Sequence, residues 1–164
     1  ENLEYYVNLY NIWSSYQPEE DGIVIAYTSV YGNTKKAVLL LAEQLKAKGC
    51  PRLVIKDLAR CDIAEAVEDA FRYSKLVLAT TTYNAEIFPF MREFINHLTE
   101  RNYQNRFVGF IDNGSWAPVA TKTMKQMFEK SKNLEFATNE VKILSSLNDE
   151  SRNQLKELAN ELLK

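Results

Sequence analysis

Apolar residues along this chain recur with two alternating periods. From Asn2 to Tyr16, the positions Leu3, Tyr6, Val7, Tyr10 and Trp13 follow helical spacing and give one aromatic face. Pro18, Glu19, Glu20 and Asp21 then break the pattern. From Gly22 onward, short continuous apolar runs alternate with amphipathic stretches. The runs are Ile23-Val24-Ile25-Ala26-Tyr27, Leu53-Val54-Ile55, Leu76-Val77-Leu78-Ala79-Thr80, Phe107-Val108-Gly109-Phe110-Ile111 and Val141-Lys142-Ile143-Leu144, the last with a start as early as Phe136 left open. Runs of this kind suit strands buried on both faces of a parallel sheet.

The stretches between them read as helices. Ala37, Val38, Leu41, Ala42 and Leu45 share a face within Lys36–Lys48, which Gly49 closes. Asp62 is placed to cap a helix carrying Ile63, Ala66, Val67 and Ala70. Pro89 opens a helix with Met91, Phe94, Ile95 and Leu98, where its missing N–H does no harm. Ala120, Met124, Met127 and Phe128 mark the next helix, and Leu155, Leu158, Ala159, Leu162 and Leu163 the last, with Asp149 expected as its cap. Five strands alternating with five helices predict an α/β fold. It is a doubly wound, five-stranded parallel sheet of order 2-1-3-4-5 with right-handed crossovers, preceded by an extra N-terminal helix. That first helix rests either on this domain or on a neighbouring surface.

In such a sheet, ligands bind beyond the carboxyl ends of the strands, near the switch between strands 1 and 3. After the first strand comes Thr28-Ser29-Val30-Tyr31-Gly32-Asn33-Thr34, and a helix follows at once. Free N–H groups at a helix start carry partial positive charge and favour a phosphate. Gly32 permits positive φ, and Thr28, Ser29, Asn33 and Thr34 add side-chain donors. The alternative is a plain capped turn. After the third strand comes Thr80-Thr81-Thr82-Tyr83-Asn84, and after the fourth Asp112-Asn113-Gly114-Ser115-Trp116-Ala117-Pro118, where Asn-Gly signals a tight turn. Tyr83 and Trp116 are each either core-covering aromatics or walls of a flat-ring site. One phosphate loop beside two aromatic loops suits a mononucleotide with a large planar ring.

Composition narrows the choice. The 164 residues fit one domain with a substantial core, and 46% hydrophobic with 26% charged residues is ordinary for a globular chain. The formal net charge of -2 gives no sign of a nucleic-acid partner. No apolar stretch approaches the ~20 residues that span a bilayer, and no signal peptide is visible, so a cytoplasmic location is expected. The chain begins with Glu1 rather than Met, which points to a piece of something longer. Cys50 and Cys61 form no CxxC motif and read as reduced thiols. His97 is the only histidine, too few for a His-rich metal site. Neither a Gly-Lys-Ser/Thr phosphate loop nor a Gly-x-Gly-x-x-Gly fingerprint occurs among the five glycines. A receiver domain needs acids where Thr28-Ser29 and Thr80-Thr81-Thr82 stand, and is excluded.

Residues 22–164 resemble the flavodoxin-like domain of flavodiiron proteins, the A-type flavoproteins. The stretches that carry the resemblance are Ile25–Thr34, Thr82-Tyr83-Asn84 with Pro89 and Met91, and Gly114-Ser115-Trp116. The family's fourth-strand loop more often reads Ser-Tyr-Gly-Trp-Ser-Gly, so the ring contacts of Trp116 depart from the pattern. The resemblance implies an electron-transfer domain with non-covalent FMN. Its phosphate lies at Thr28, Ser29, Val30, Tyr31, Gly32, Asn33 and Thr34. Its isoalloxazine is flanked by Thr81, Thr82, Tyr83 and Asn84 and by Asn113, Gly114, Ser115, Trp116 and Ala117. It also implies a preceding β-lactamase-like di-iron domain that reduces oxygen or nitric oxide, joined through residues 1–20. A rubredoxin-like or flavin reductase electron donor and a head-to-tail homodimer complete the expected partners. The rival readings are a stand-alone flavodoxin, an NAD(P)H-dependent FMN quinone reductase, for which no longer loops are seen, and a relative that binds nothing.

Overall fold

The computed structural model describes residues 2–115 and 119–164. Its elements run α1 (Leu3–Ser14), β1 (Glu20–Tyr27), α2 (Asn33–Ala47), β2 (Leu53–Asp57), α3 (Ile63–Arg72), β3 (Tyr73–Tyr83), β4 (Glu86–Ile87), α4 (Pro89–Glu100), β5 (Arg106–Gly114), α5 (Ala120–Met127), β6 (Leu134–Phe136), β7 (Val141–Leu144) and α6 (Asp149–Leu162). The sheet order is β2-β1-β3-β5-β6, all parallel. β7 also pairs with β5, and the two-residue β4 pairs antiparallel with the end of β3. This is the doubly wound 2-1-3-4-5 arrangement read from the sequence, with β6 and β7 sharing the fifth place.

Alternate residues of the buried strands divide between two cores. Val24, Ala26, Leu76, Leu78, Val108 and Phe110 pack with α3, α4 and α5. Ile23, Ile25, Tyr27, Val77, Ala79 and Ile111 pack with α2 and α6. Each fully buried aliphatic side chain contributes ~1.5–3 kcal/mol, which is why apolar runs without polar alternation hold these strands. Near the start of β1, a Cβ on Gly22 would lie 2.6 Å from the Tyr73 ring, so the close β1–β3 approach excludes a side chain there.

Four local readings are corrected. The predicted single fifth strand is two. After Phe136 the N–H groups of Thr138 and Asn139 turn to the Glu161 carboxylate on α6 (2.7 and 3.1 Å), which draws the chain out of the ladder before β7 resumes it. β3 continues through Thr80–Tyr83, where a loop was expected. Asn113-Gly114 is strand rather than turn, because it is paired with Thr81 on one side and with Ile143 and Leu144 on the other. Finally, Asn148, not Asp149, caps α6, in a full capping box with Ser151 (2.8 Å each way). Asp62 caps α3 as expected, accepting from the Ala64 N–H at 2.9 Å.

The first helix stands apart from both cores: α1 buries no residue. Its carboxyl end is tied down. The Tyr16 carbonyl accepts from the Arg106 guanidinium at 2.6 Å, and the Trp13 indole donates to Glu19 at 2.6 Å. Arg106 is 4% exposed. Its guanidinium also donates to the carbonyls of Tyr73 (3.1 Å), Gln104 (2.7 Å) and Phe71 (2.5 Å). Among the described residues, no helix is long and apolar enough to cross a membrane.

Candidate functional site

The carboxyl ends of β1, β3, β5 and β7 converge on a cavity of about 220 Å³. Ten of the residues singled out in the sequence line it: Val30, Tyr31, Asn33, Thr34, Thr81, Thr82, Tyr83, Asn113, Gly114 and Ser115. Larger hollows elsewhere, about 730 Å³ beside α5 and β7 and 670 Å³ between α4 and α5, are lined mainly by long polar side chains. In the first of them Lys125 and Lys142 turn to Glu140.

The first loop forms one wall of the cavity. Gly32 is the residue before α2, at φ +87°, a conformation that L side chains rarely adopt. Ser29 folds back, and its hydroxyl accepts from the N–H groups of Gly32 (3.1 Å) and Lys35 (3.3 Å). This leaves the amides of Val30, Tyr31, Asn33 and Thr34 without a hydrogen-bond partner among the described residues. The first turn of α2 holds no acid. Buried Thr34 is the hub: its hydroxyl lies 3.3 Å from that of Thr81 and accepts from the Asn113 amide at 3.2 Å. A phosphate ester placed here meets neutral amide and hydroxyl donors plus the positive end of a helix, so the donor set fits FMN's phosphate.

Strand pleating sorts the neighbouring residues. Thr81 and Asn113 face α2. Thr80, Thr82 and Asp112 belong to the alternate set, which faces α5. Thr28 is buried behind the cavity, its hydroxyl 2.6 Å from that of Thr80. The flat wall comes from a hairpin that the sequence reading missed. Asn84 and Ala85 both adopt positive φ (49° and 61°) between Tyr83 and Glu86, a tight two-residue turn. Tyr83 is half exposed and meets Phe88 edge-on at 5.7 Å between ring centroids, which holds its ring at the cavity mouth. Tyr31 is 92% exposed. Trp116 and Ala117 lie outside the described residues.

Ser145 also lines the cavity and was not singled out. Its N–H donates to the Gly114 carbonyl at 3.2 Å. It immediately follows the last strand, so the rule that pointed to the other three loops also pointed to it. Away from the site, Cys50 and Cys61 are free, and burial pushes both thiols up from their ordinary value. Among the described residues, no cluster of three or more His, Cys, Asp or Glu could hold a metal.

Comparison with known proteins agrees with this fold. Residues 24–156 match the family described as "Flavodoxin domain". The anaerobic nitric oxide reductase flavorubredoxin of Escherichia coli O1:K1 is 26% identical over 135 residues, 78% of this chain and 28% of the relative. The rubredoxin oxygen:oxidoreductase of Desulfovibrio gigas superposes with a TM-score of 0.87 at 19% identity, over 97% of this chain and 39% of that one. A flavodoxin from the domain Archaea superposes with a TM-score of 0.72 at 17% identity, over 86% of this chain and 95% of its own. The chain thus spans well under half the length of the two oxidoreductases and nearly all of the small flavodoxin. It resembles the flavodoxin-like module of flavodiiron proteins, as its loops suggested.

Proposed function

The chain belongs to the flavodoxin domain family, and on that premise we propose that it binds FMN without covalent linkage and relays electrons within a flavodiiron-type oxygen or nitric oxide reductase. One observation carries this reading: the partnerless amides of the first loop, the Thr34–Thr81–Asn113 cluster and the Tyr83 wall all meet in one cavity at the sheet's switch point. When bound, FMN supplies the ring that takes up and gives away electrons.

The chain's own residues do the rest. Asn33 and Thr34 hold the phosphate through main-chain N–H groups, while Ser29 keeps the loop closed. Thr81, Asn113, Gly114 and Ser115 line the path from phosphate to ring. Tyr83, braced by Phe88, excludes water from one ring face. The proposed cofactor set is Thr28–Thr34, Thr81–Asn84 and Asn113–Ala117, with Thr28 supporting the wall from behind. The electron donor is a rubredoxin-like protein or a flavin reductase. The acceptor is a di-iron β-lactamase-like domain preceding residues 1–20, in a homodimer. Support for that arrangement comes from α1, whose apolar face finds no cover on this domain. Coverage by the Desulfovibrio gigas structure also exceeds that by the archaeal flavodoxin, 97% against 86%, a gap close to the share of the chain ahead of β1.

The test is titration of the purified chain with FMN, followed by flavin fluorescence and absorption. One equivalent should bind saturably. Thr34→Ala should weaken binding about tenfold, ~1.4 kcal/mol. A chain that takes up no FMN sinks the reading. NADH oxidation by the loaded chain without a partner would instead favour a quinone reductase.

A further inference from the structure

β5 delivers one fully buried carboxylate to the carboxyl end of the sheet. Asp112 is 0% exposed. One carboxylate oxygen accepts from the Thr82 hydroxyl at 3.0 Å, and the other from the Thr121 N–H at 3.0 Å. The Thr82 hydroxyl oxygen accepts in turn from the N–H groups of Val119 (3.0 Å) and Ala120 (3.3 Å). Thr82 lines the cavity. The carboxylate therefore stands one hydrogen bond behind the cavity wall.

All of its hydrogen-bond donors are neutral. Among the described residues, no lysine, arginine or histidine nitrogen lies within 4.0 Å of it. The nearest cation by register is Lys142, its partner on β7, and that side chain reaches toward Glu140 at 3.9 Å. Neutral donors and a helix start stabilise a carboxylate without cancelling its charge. In a poorly polarisable interior, such a charge acts over several ångströms.

We propose that Asp112 is a fixed negative charge which, acting through space across the wall that Thr82 lines, disfavours the reduced form of the flavin relative to the oxidised form and so lowers its midpoint potential. This rests on the FMN reading above. Burial, the largest cause, pushes the Asp112 carboxyl above its ordinary range, and its hydrogen bonds from Thr121 and Thr82, with a smaller pull from the Lys142 charge, bring it part of the way back. Asp112 touches no cavity atom itself, so it is a positioning residue with an electrostatic reach.

The experiment compares the FMN-loaded parent chain with Asp112→Asn and Asp112→Ser by spectroelectrochemical titration, alongside the affinity of each for oxidised FMN. Asp112→Asn keeps the shape and removes the charge. It should change oxidised-FMN affinity less than about threefold. It should also raise the potential by the equivalent of about tenfold tighter relative binding of the reduced form, about 30 mV for a two-electron couple. Asp112→Ser removes the same charge in a smaller side chain and should raise the potential likewise. A parent chain that binds no FMN overturns the function and this inference together. A loaded Asp112→Asn chain with an unmoved or lowered potential overturns this inference alone. A loaded Asp112→Ser chain with an unmoved or lowered potential overturns it as well, and that variant decides the matter where Asp112→Asn does not fold.

Discussion

The two ends of β5 hold opposite charges in opposite ways. Arg106 opens the strand and Asp112 lies near its close; both are buried. At the amino end the guanidinium is enclosed by carbonyls, including that of Phe71 in the last turn of α3 and that of Tyr16 just beyond α1. At the carboxyl end the carboxylate meets the first-turn N–H of Thr121 on α5. Parallel α/β winding sends every helix back antiparallel to its strands. Negative helix ends therefore gather at the amino edge of the sheet and positive ends at the carboxyl edge. A cation is satisfied at one edge and an anion at the other without any ion pair. The difference lies in closure. The amino end spends its dipoles on the protein itself, whereas at the carboxyl end the amides of Val30, Tyr31, Asn33 and Thr34 have no partner among the described residues.

The harshest way to break this comparison is at the closed end. Arg106→Met keeps the bulk but strands the carbonyls of Tyr16, Phe71, Tyr73 and Gln104. Loss of about 3 kcal/mol is expected in urea unfolding of the chain. A loss under about 1 kcal/mol would mean that the clasp is ornamental and the dipole argument wrong for that edge.

At the open end, pH is the sharper probe. Burial, the largest cause, raises the folded-state pKa of Asp112 despite its hydrogen bonds from Thr121 and Thr82. A carboxyl raised on folding contributes stability that is fully present below its ordinary range and is lost as pH rises through the folded value. The stability of the parent chain minus that of Asp112→Asn should therefore fall between acid and neutral pH, then level off. Urea midpoints across that window measure it. A difference that grows with pH would show that the dipoles outweigh the burial cost.

Much of this arrangement was legible in the residues, for identifiable reasons. Strands covered on both faces have to be apolar throughout, so Ile23–Tyr27 and Leu76–Thr80 announced themselves. Asn113-Gly114 misled because turn preference is local, while pairing to β3 and β7 is not. The Asn84-Ala85 turn was missed because Ala at positive φ is not a turn signal; the hairpin pairing of Thr82 with Ile87 holds it. Asp112 was read only as a loop residue, since nothing local reveals that Thr82 and Thr121 will converge on it.

The mildest change tests whether the amino edge is as finished outside as inside. α1 carries exposed Tyr6 (65%) and Tyr10 (67%), and it buries nothing on this domain. A helix apolar on most of its surface is ordinarily covered. If its cover is another domain, replacing both residues in this chain touches only water. Tyr6→Ser with Tyr10→Ser should then shift unfolding free energy by no more than ~0.5 kcal/mol, and leave FMN affinity alone, because the cavity lies at the opposite edge of the sheet. A larger loss of stability would mean that α1 folds down onto this same domain in solution, and the linker reading of residues 1–20 would fall with it.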